Sequence, residues 1–434
     1  MYLKGSKWRV AHQRKRANPL RILILGLLVG GALYFNAVVV PATPPLFIPT
    51  VTPTRSPESF LTEAQTLVAK GKINQAIATY QGAIKADPSN LTIRVTLARL
   101  QVLYGDYEGA RENVENALMI NDAHALARAV RGWVLGKQKD YLGGEIDLKT
   151  ALELDPNSGL AWAYYAELLK DQIDSGGGDL NTQDKAAQYS KKAVELDPNQ
   201  LEVHRARGLV LEVTGNYGEA IAEFEQVLAM NSNLSEIYVA LGRNYRYYPE
   251  GAPDYLKAIE ALNTAIALRP DVADPYAELA STYLTLGDYA KGIQIAQQAV
   301  EREPGNPLMH GLLGTLYYRL EQYGLASDEF RLALNGGLTK MGETVTPIAA
   351  DGGYTYVMYG SRYGIALAYQ GQCNESLQVA QQLAQLATVS YLETAQVNAQ
   401  VMIDTCREMA DNPPVTETPA DETTPADVTP TPGS

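Results

Sequence analysis

The chain has 434 residues, 46% of them apolar, and a formal net charge of −13. That is enough apolar material for one long repeat array or about three conventional domains. An acidic body repels phosphates, whose recognition needs clustered Lys and Arg to release counterions, so composition excludes nucleic acid as the expected partner.

Charge is segregated along the chain. Residues 1–21 carry seven basic groups and no acidic one. Residues 22–40 follow, ILILGLLVGGALYFNAVVV, with no formal charge and only Asn36 strongly polar. A helix of that length spans roughly 28 Å at about 1.5 Å per residue, close to the hydrocarbon thickness of a bilayer. Residues 22–40 are therefore expected to form a transmembrane helix. A cleaved signal peptide competes with that reading, with Val40-Pro41-Ala42 as a poor cleavage site. The apolar run exceeds the usual length of about 7 to 15 residues, and prolines surround the site, which favours an uncleaved anchor. The positive-inside rule puts residues 1–21 in the cytoplasm and everything after Pro41 outside it. The expected localisation is thus a single-pass membrane protein with an extracytoplasmic body. Residues 41–57 hold six prolines and four threonines, and 41–56 reads as a semi-rigid linker. At the other end, 411–434 is acidic, rich in Pro and Thr, and without aromatics. It cannot bury enough apolar surface to offset its ordering entropy and is expected to be a disordered tail.

Between these segments the pentapeptide ELDPN occurs twice, at 153–157 and 195–199. A ladder of small residues explains it: Ala64, Ala98, Gly132, Ala166, Gly208, Gly242, Ala280, Gly314 and Gly364 stand mostly 34 residues apart. A second ladder follows twelve residues behind (Ala76, Ala110, Gly144), and a third seven further on (Ala83, Ala117, Ala151). Pro88, Pro156, Pro198, Pro270 and Pro304 close most units. Helices that cross closely need small residues at the crossing, and a short helix pair buries its apolar face only against its neighbours. The eight extra residues between the ELDPN copies map to 175–184, SGGGDLNTQD, inside the fourth unit.

This pattern resembles the tetratricopeptide repeat, a helix-turn-helix unit of about 34 residues. In that family a large residue opens the first helix, as Phe60, Trp162, Tyr238 and Tyr276 do here. An aromatic also stands in the turn or at the start of the second helix, as Tyr107, Tyr141, Tyr217, Tyr289 and Tyr323 do. The resemblance implies an all-α fold: a right-handed α-solenoid of about nine such units over 57–410, plus a capping helix. Asp122 and Ser232 replace closing prolines, and the ninth unit has Ser376 and Leu383 where alanines are usual.

No catalytic or phosphate-binding motif is present. There is no HExxH and no nucleophile elbow, and SGGGD lacks the Gly-Lys-Ser/Thr that completes a phosphate loop. The carboxylates of 175–184 do not have the spacing of a calcium loop. His204 and His310 occupy the slot filled elsewhere by Phe60, Trp162 and Tyr276, and are expected to pack. The chain is read as non-enzymatic, with no cofactor, metal or small-molecule substrate. Cys373 and Cys406 are nearly one period apart. The ladder puts the first at the start of the ninth unit's second helix and the second near the end of the capping helix. Adjacent turns of a solenoid are spatial neighbours, so a disulfide is expected in an oxidising compartment; two buried thiols are the alternative.

By the resemblance, the first helices line a concave groove that receives peptides or partner proteins. Helical phase puts Arg99, Trp133, Glu167, Lys170, Arg205, Arg243, Arg246, Tyr247, Tyr318 and Arg319 on that face. Arginine and tyrosine most often dominate interface energy, and a cationic-aromatic strip in an acidic body selects an acidic or C-terminal segment. The alternative is a solvated inner face of intramolecular ion pairs. The lysine-asparagine carboxylate clamp of chaperone-binding members is not recognisable. Residues 335–353 form a long insert between the eighth and ninth units, of a kind that is usually functional or disordered; a hairpin or a plug over the groove are both open. The expected function is a membrane-tethered extracytoplasmic scaffold for protein–protein interaction through its groove. The alternative is a structural cell-surface or envelope protein without a dedicated groove ligand.

Overall fold

The computed structural model describes residues 18–39, 55–248 and 254–411. Nearly all of the basic N-terminus, most of the linker and the tail beyond Asp411 lie outside the described residues.

Helix α1 (Pro19–Tyr34) runs into a π turn (Phe35–Val39). Asn18 caps it, its side chain accepting from the Leu20 amide at 3.2 Å, and Pro19 takes the first position, where a missing N–H costs nothing. These two residues start the helix earlier than the uncharged run alone suggests. The stretch from Pro19 to Val38 has a mean hydropathy of 1.8, is long and apolar enough to cross a membrane, and buries nothing against the rest of the chain. It is a candidate membrane anchor.

The other helices pair as α2 (Pro57–Ala69) with α3 (Ile73–Ala86), α4 (Leu91–Leu103) with α5 (Tyr107–Ile120), α6 (Ala125–Lys137) with α7 (Tyr141–Leu154), and α8 (Gly159–Asp174) with α9 (Leu180–Leu196). The series continues with α10 (Leu201–Val213) and α11 (Tyr217–Met230), α12 (Ser235–Tyr247) and α13 (Tyr255–Leu268), and α14 (Asp274–Leu286) and α15 (Tyr289–Arg302). It ends with α16 (Pro307–Arg319) and α17 (Tyr323–Asn335), α18 (Tyr354–Tyr369) and α19 (Cys373–Leu386), and a lone α20 (Leu392–Asp411). These are the nine units and capping helix that the ladder predicts.

The ladder residues sit where helices touch. A Cβ added to Gly132 would lie 2.9 Å from the Gly144 carbonyl oxygen, and one on Gly144 would lie 2.8 Å from that of Gly132. Two backbones meet there, so the third unit admits only glycine. In the turn, Gly105 sits at φ +82°, in the left-handed region; Lys139 and Glu321 hold the same turn position in their units at φ 67° and 58°, at a cost of about 1 kcal/mol each.

In most units the residue that opens the first helix does more than pack. Trp162 Nε1 donates to the Pro156 carbonyl at 3.0 Å, Tyr276 Oη to that of Pro270 at 3.3 Å, and Arg128 Nε to that of Asp122 at 2.9 Å. His204 Nε2 lies 2.7 Å from the Pro198 carbonyl oxygen, and His310 Nε2 lies 2.9 Å from that of Pro304. A side chain six residues on thus satisfies a turn carbonyl that lies outside the helical ladder. This explains why the slot takes His, Trp, Tyr and Arg interchangeably: each is large and carries an N–H or O–H.

Both inserts are ordered. Asp179 and Thr182 form a capping box that starts α9. In 335–353, β1 (Gly337–Leu338) and β2 (Thr344–Val345) pair antiparallel, Gly337 opposite Val345. Val345 is buried, the Ile348 amide donates to the Ala333 carbonyl, the Thr388 amide donates to that of Gly352, and the Thr344 carbonyl lies against Gly305. The insert is a hairpin resting on the turns that join consecutive units. Cys373 and Cys406 are disulfide-bonded, with Cα atoms 5.6 Å apart, which ties α20 to the start of α19.

Candidate protein-binding groove

Most of the cations that helical phase puts on the inner face are neutralised by carboxylates of the same chain. Their centre is Glu167 on α8, which is fully buried. It accepts from Trp133 Nε1 at 2.7 Å and pairs with Lys137 Nζ at 3.1 Å and with Arg205 Nη1. Burial alone would raise the Glu167 carboxyl, but the charges of Arg205 and Lys137, with hydrogen bonds from Arg205 and Trp133, bring it down to about 2. Desolvation pulls the buried Arg205 guanidinium down, and Glu167 and Glu236 outweigh it, holding the group well above its usual value. Trp133 is 1% exposed and stacks on Tyr164, ring centroids 4.3 Å apart. It is core rather than groove surface, because the next first helix packs over a residue at that phase.

The pattern extends in both directions. Lys170 Nζ pairs with Asp174 Oδ2 at 2.6 Å, and Arg243 Nε donates to Glu212 Oε1 at 2.7 Å. Arg246 is buried and pairs with Glu278 Oε2 at 2.6 Å. Arg99 Nε donates to Glu202 Oε1 at 2.8 Å across 103 residues of sequence.

That last contact belongs to a closure that the repeat period does not encode. Asn231 Nδ2 donates to Tyr104 Oη at 3.2 Å, and Asn233 Nδ2 donates to the Ala69 carbonyl at 3.3 Å, 164 residues away. Leu103 and Tyr104 pack into the cluster of Leu209, Leu234 and Ile237. The first two units therefore close against the fifth and sixth. Between them lies an open cavity of about 430 Å³, lined among others by Tyr107, Arg205 and Arg243, with Lys170 of the fourth unit and Asp274 of the seventh. Burial raises the Asp274 carboxyl, and Glu278 adds to the rise.

Toward the C-terminal end the inner face changes character. Tyr247 is 53% exposed, with the Arg246 guanidinium 4.8 Å from its ring centroid. Tyr318 meets Tyr323 edge-on at 5.9 Å, and Tyr323 stacks on Tyr369 at 4.4 Å. Arg319 is exposed and forms no ion pair among the described residues. Beside it stands Arg362 on α18, half-buried, whose Nη1 donates to Thr315 Oγ1 at 3.1 Å. Sequence reasoning missed Arg362, which stands two residues before the rung Gly364, the register of Glu278 in the seventh unit. Among the described residues no group of three or more His, Cys, Asp or Glu side chains is placed to hold a metal ion.

Models of the tetratricopeptide repeat match residues 67–134, 183–235 and 251–332. Human DnaJ homolog subfamily C member 3 is 22% identical over 249 residues, covering 56% of this chain and 42% of that one. Human mitochondrial import receptor subunit TOM70 is 19% identical over 278 residues, covering 62% and 44%. The chain spans less than half the length of these curated relatives. Human IFIT1, solved as a dimer with m7Gppp-AAAA, superposes with a TM-score of 0.54 at 16% identity, over 82% of this chain and 83% of that one. That likeness is one of fold. The chain carries tetratricopeptide repeats, a module that commonly mediates protein–protein interaction.

Proposed function

We propose that the protein is a membrane-tethered, extracytoplasmic and non-enzymatic scaffold that binds segments of protein partners on the inner face of its C-terminal units. The observation that carries this reading is the contrast along that face: the first six units are closed and ion-paired, while beside the half-buried Tyr318 the exposed Arg319 forms no ion pair among the described residues. An open cationic-aromatic surface on an acidic protein favours acidic partner segments, since a carboxylate there gains attraction without displacing an internal one. Tethering is supported by the exposed apolar α1 after seven basic residues. The outward orientation is supported by that charge bias and by the disulfide. A structural role without a groove ligand is favoured only by the self-neutralised first six units.

The test is in-situ crosslinking of the full-length protein in its membrane, with mass spectrometry of captured proteins, beside a Tyr318→Ala, Arg319→Ala variant of unchanged helicity. A discrete set of exported partners lost in the variant supports the scaffold. Cytosolic partners overturn the topology, and an empty capture leaves the structural role.

A further inference from the structure

We propose that Arg319 and Arg362 form a carboxylate-binding site at the C-terminal end of the inner face, and that its occupant is the chain's own acidic tail, residues 412–434. The proposal rests on reading the inner face as the binding surface and adds how that surface is regulated.

The site follows from comparing equivalent joints. One residue after the small-residue rung, the fourth unit carries Glu167, which neutralises Arg205 of the next unit. In the eighth unit the same place, one residue after Gly314, is Thr315, and Arg362 of the next unit, one position further along its helix than Arg205, donates to its hydroxyl and pairs with no carboxylate among the described residues. Buried and half-buried charges are ordinarily paired. Three groove arginines obey that rule: despite desolvation, Arg99, Arg205 and Arg243 are held above their usual value by carboxylates. Arg362 moves the other way, lowered first by burial and then by the neighbouring Arg319 charge, with only Tyr354, Tyr359 and Tyr318 opposing. Two guanidiniums that repel each other and face no carboxylate among the described residues are an incomplete anion site, and forked donors of this kind match carboxylates.

The tail is the occupant that the chain itself supplies. It carries Glu417, Asp421, Glu422 and Asp427 and no basic residue. It leaves the end of α20, and α20 is fastened beside the site, Asn398 Nδ2 donating to Ser361 Oγ at 3.0 Å, next to Arg362. From Asn398 to Asp411 the helix rises about 20 Å at ~1.5 Å per residue. Asp421 and Glu422 lie ten and eleven residues beyond, a reach of up to roughly 33 Å at ~3.3 Å per residue, which exceeds the way back. A short tether of this kind gives a local concentration of about 1 mM. A partner must therefore outcompete the tail, so the groove rejects weakly acidic segments.

The test uses the full chain in detergent micelles and a fluorescently labelled synthetic peptide of residues 412–434, followed by anisotropy. The comparison is with a full-length variant whose tail carboxylates are amides: Glu417→Gln, Asp421→Asn, Glu422→Gln and Asp427→Asn. If the peptide binds the amide variant at about 0.1 mM, competition from a tether near 1 mM makes binding to the unmodified chain roughly tenfold weaker. Adding Arg319→Gln and Arg362→Gln to the amide variant should remove binding, with circular dichroism unchanged. Equal affinity for unmodified and amide chains overturns the tail as occupant, whereas binding that survives the double arginine change, or no binding to the amide chain, overturns the site. Partner capture by crosslinking is read separately, so failure of the scaffold reading leaves the peptide result standing, and the reverse.

Discussion

At the joint between the fourth and fifth units, Arg205 lies against the buried Glu167; at the joint between the eighth and ninth, Arg362 reaches Thr315 instead. The ladder residues beside them, Ala166 and Gly314, fill the same place in the helix pair and both are buried in their crossings, the glycine leaving room for the Phe330 ring. The backbone is therefore indifferent to whether the next residue is charged, and one side chain per joint decides whether the inner face is self-satisfied or open. A repeat array can in this way carry a rigid, neutral stretch and a receptive one on a single architecture.

Substitutions at the two joints should differ in sign. Glu167→Gln removes the carboxylate shared by Arg205 and Lys137, which keep Glu236 and Asp171 as partners, and we expect a loss of about 2–3 kcal/mol, read as a fall in the thermal midpoint; Arg205→Gln, which leaves the buried Glu167 with Lys137 alone, should cost about 3 kcal/mol. Because the Glu167 carboxyl is held at about 2 in the folded chain against roughly 4.3 when free, its contribution is complete above that free value. It is lost as pH falls toward 2, and Glu167→Gln should flatten that acid limb. The C-terminal end relies on a covalent tie instead: Cys373→Ser should loosen α20 by up to about 4 kcal/mol on loop-entropy grounds, seen as faster proteolysis within 392–411 and no change near α8.

Smaller effects refine the contrast. His310 is lowered by burial but raised more by its hydrogen bonds with Glu329 and the Pro304 carbonyl, so its folded value is elevated. The stabilisation it gives over His310→Gln should be full below about 6.5, the free value, and vanish as pH rises through the elevated one. Urea titrations at several pH values test this. Arg362→Gln should change stability by less than about 0.5 kcal/mol, or raise it, since it removes a half-buried charge that no carboxylate among the described residues opposes. A loss comparable to that of Arg205→Gln would erase the distinction between the joints.

The units and the disulfide partners were legible because both depend on local or nearest-neighbour spacing: a small residue every 34 positions and two cysteines almost one period apart. The groove was legible only as a stripe. Phase put Trp133 on it, but phase does not show that Tyr164 of the next unit covers the ring. It identified the cations but not their partners, since the Arg99–Glu202 contact depends on the superhelix bringing units three apart together. Arg362 escaped because it lies in the first half of its helix, before the rung Gly364, whereas phase places the stripe mostly after the rung, and the carbonyl-satisfying role of His204 and His310 because it needs turn geometry.

The clasp between Ala69, Tyr104 and the 231–233 turn also has a mechanical consequence. An open solenoid is a spring whose every joint yields a little under load. Here the opening coils are fastened to the fifth and sixth, so a pull applied between α2 and α20 meets a stiff ring in series with a short free coil. Extension concentrates in the seventh to ninth units, the stretch that carries Arg319 and Arg362, and tension on the chain acts first on the geometry of that end.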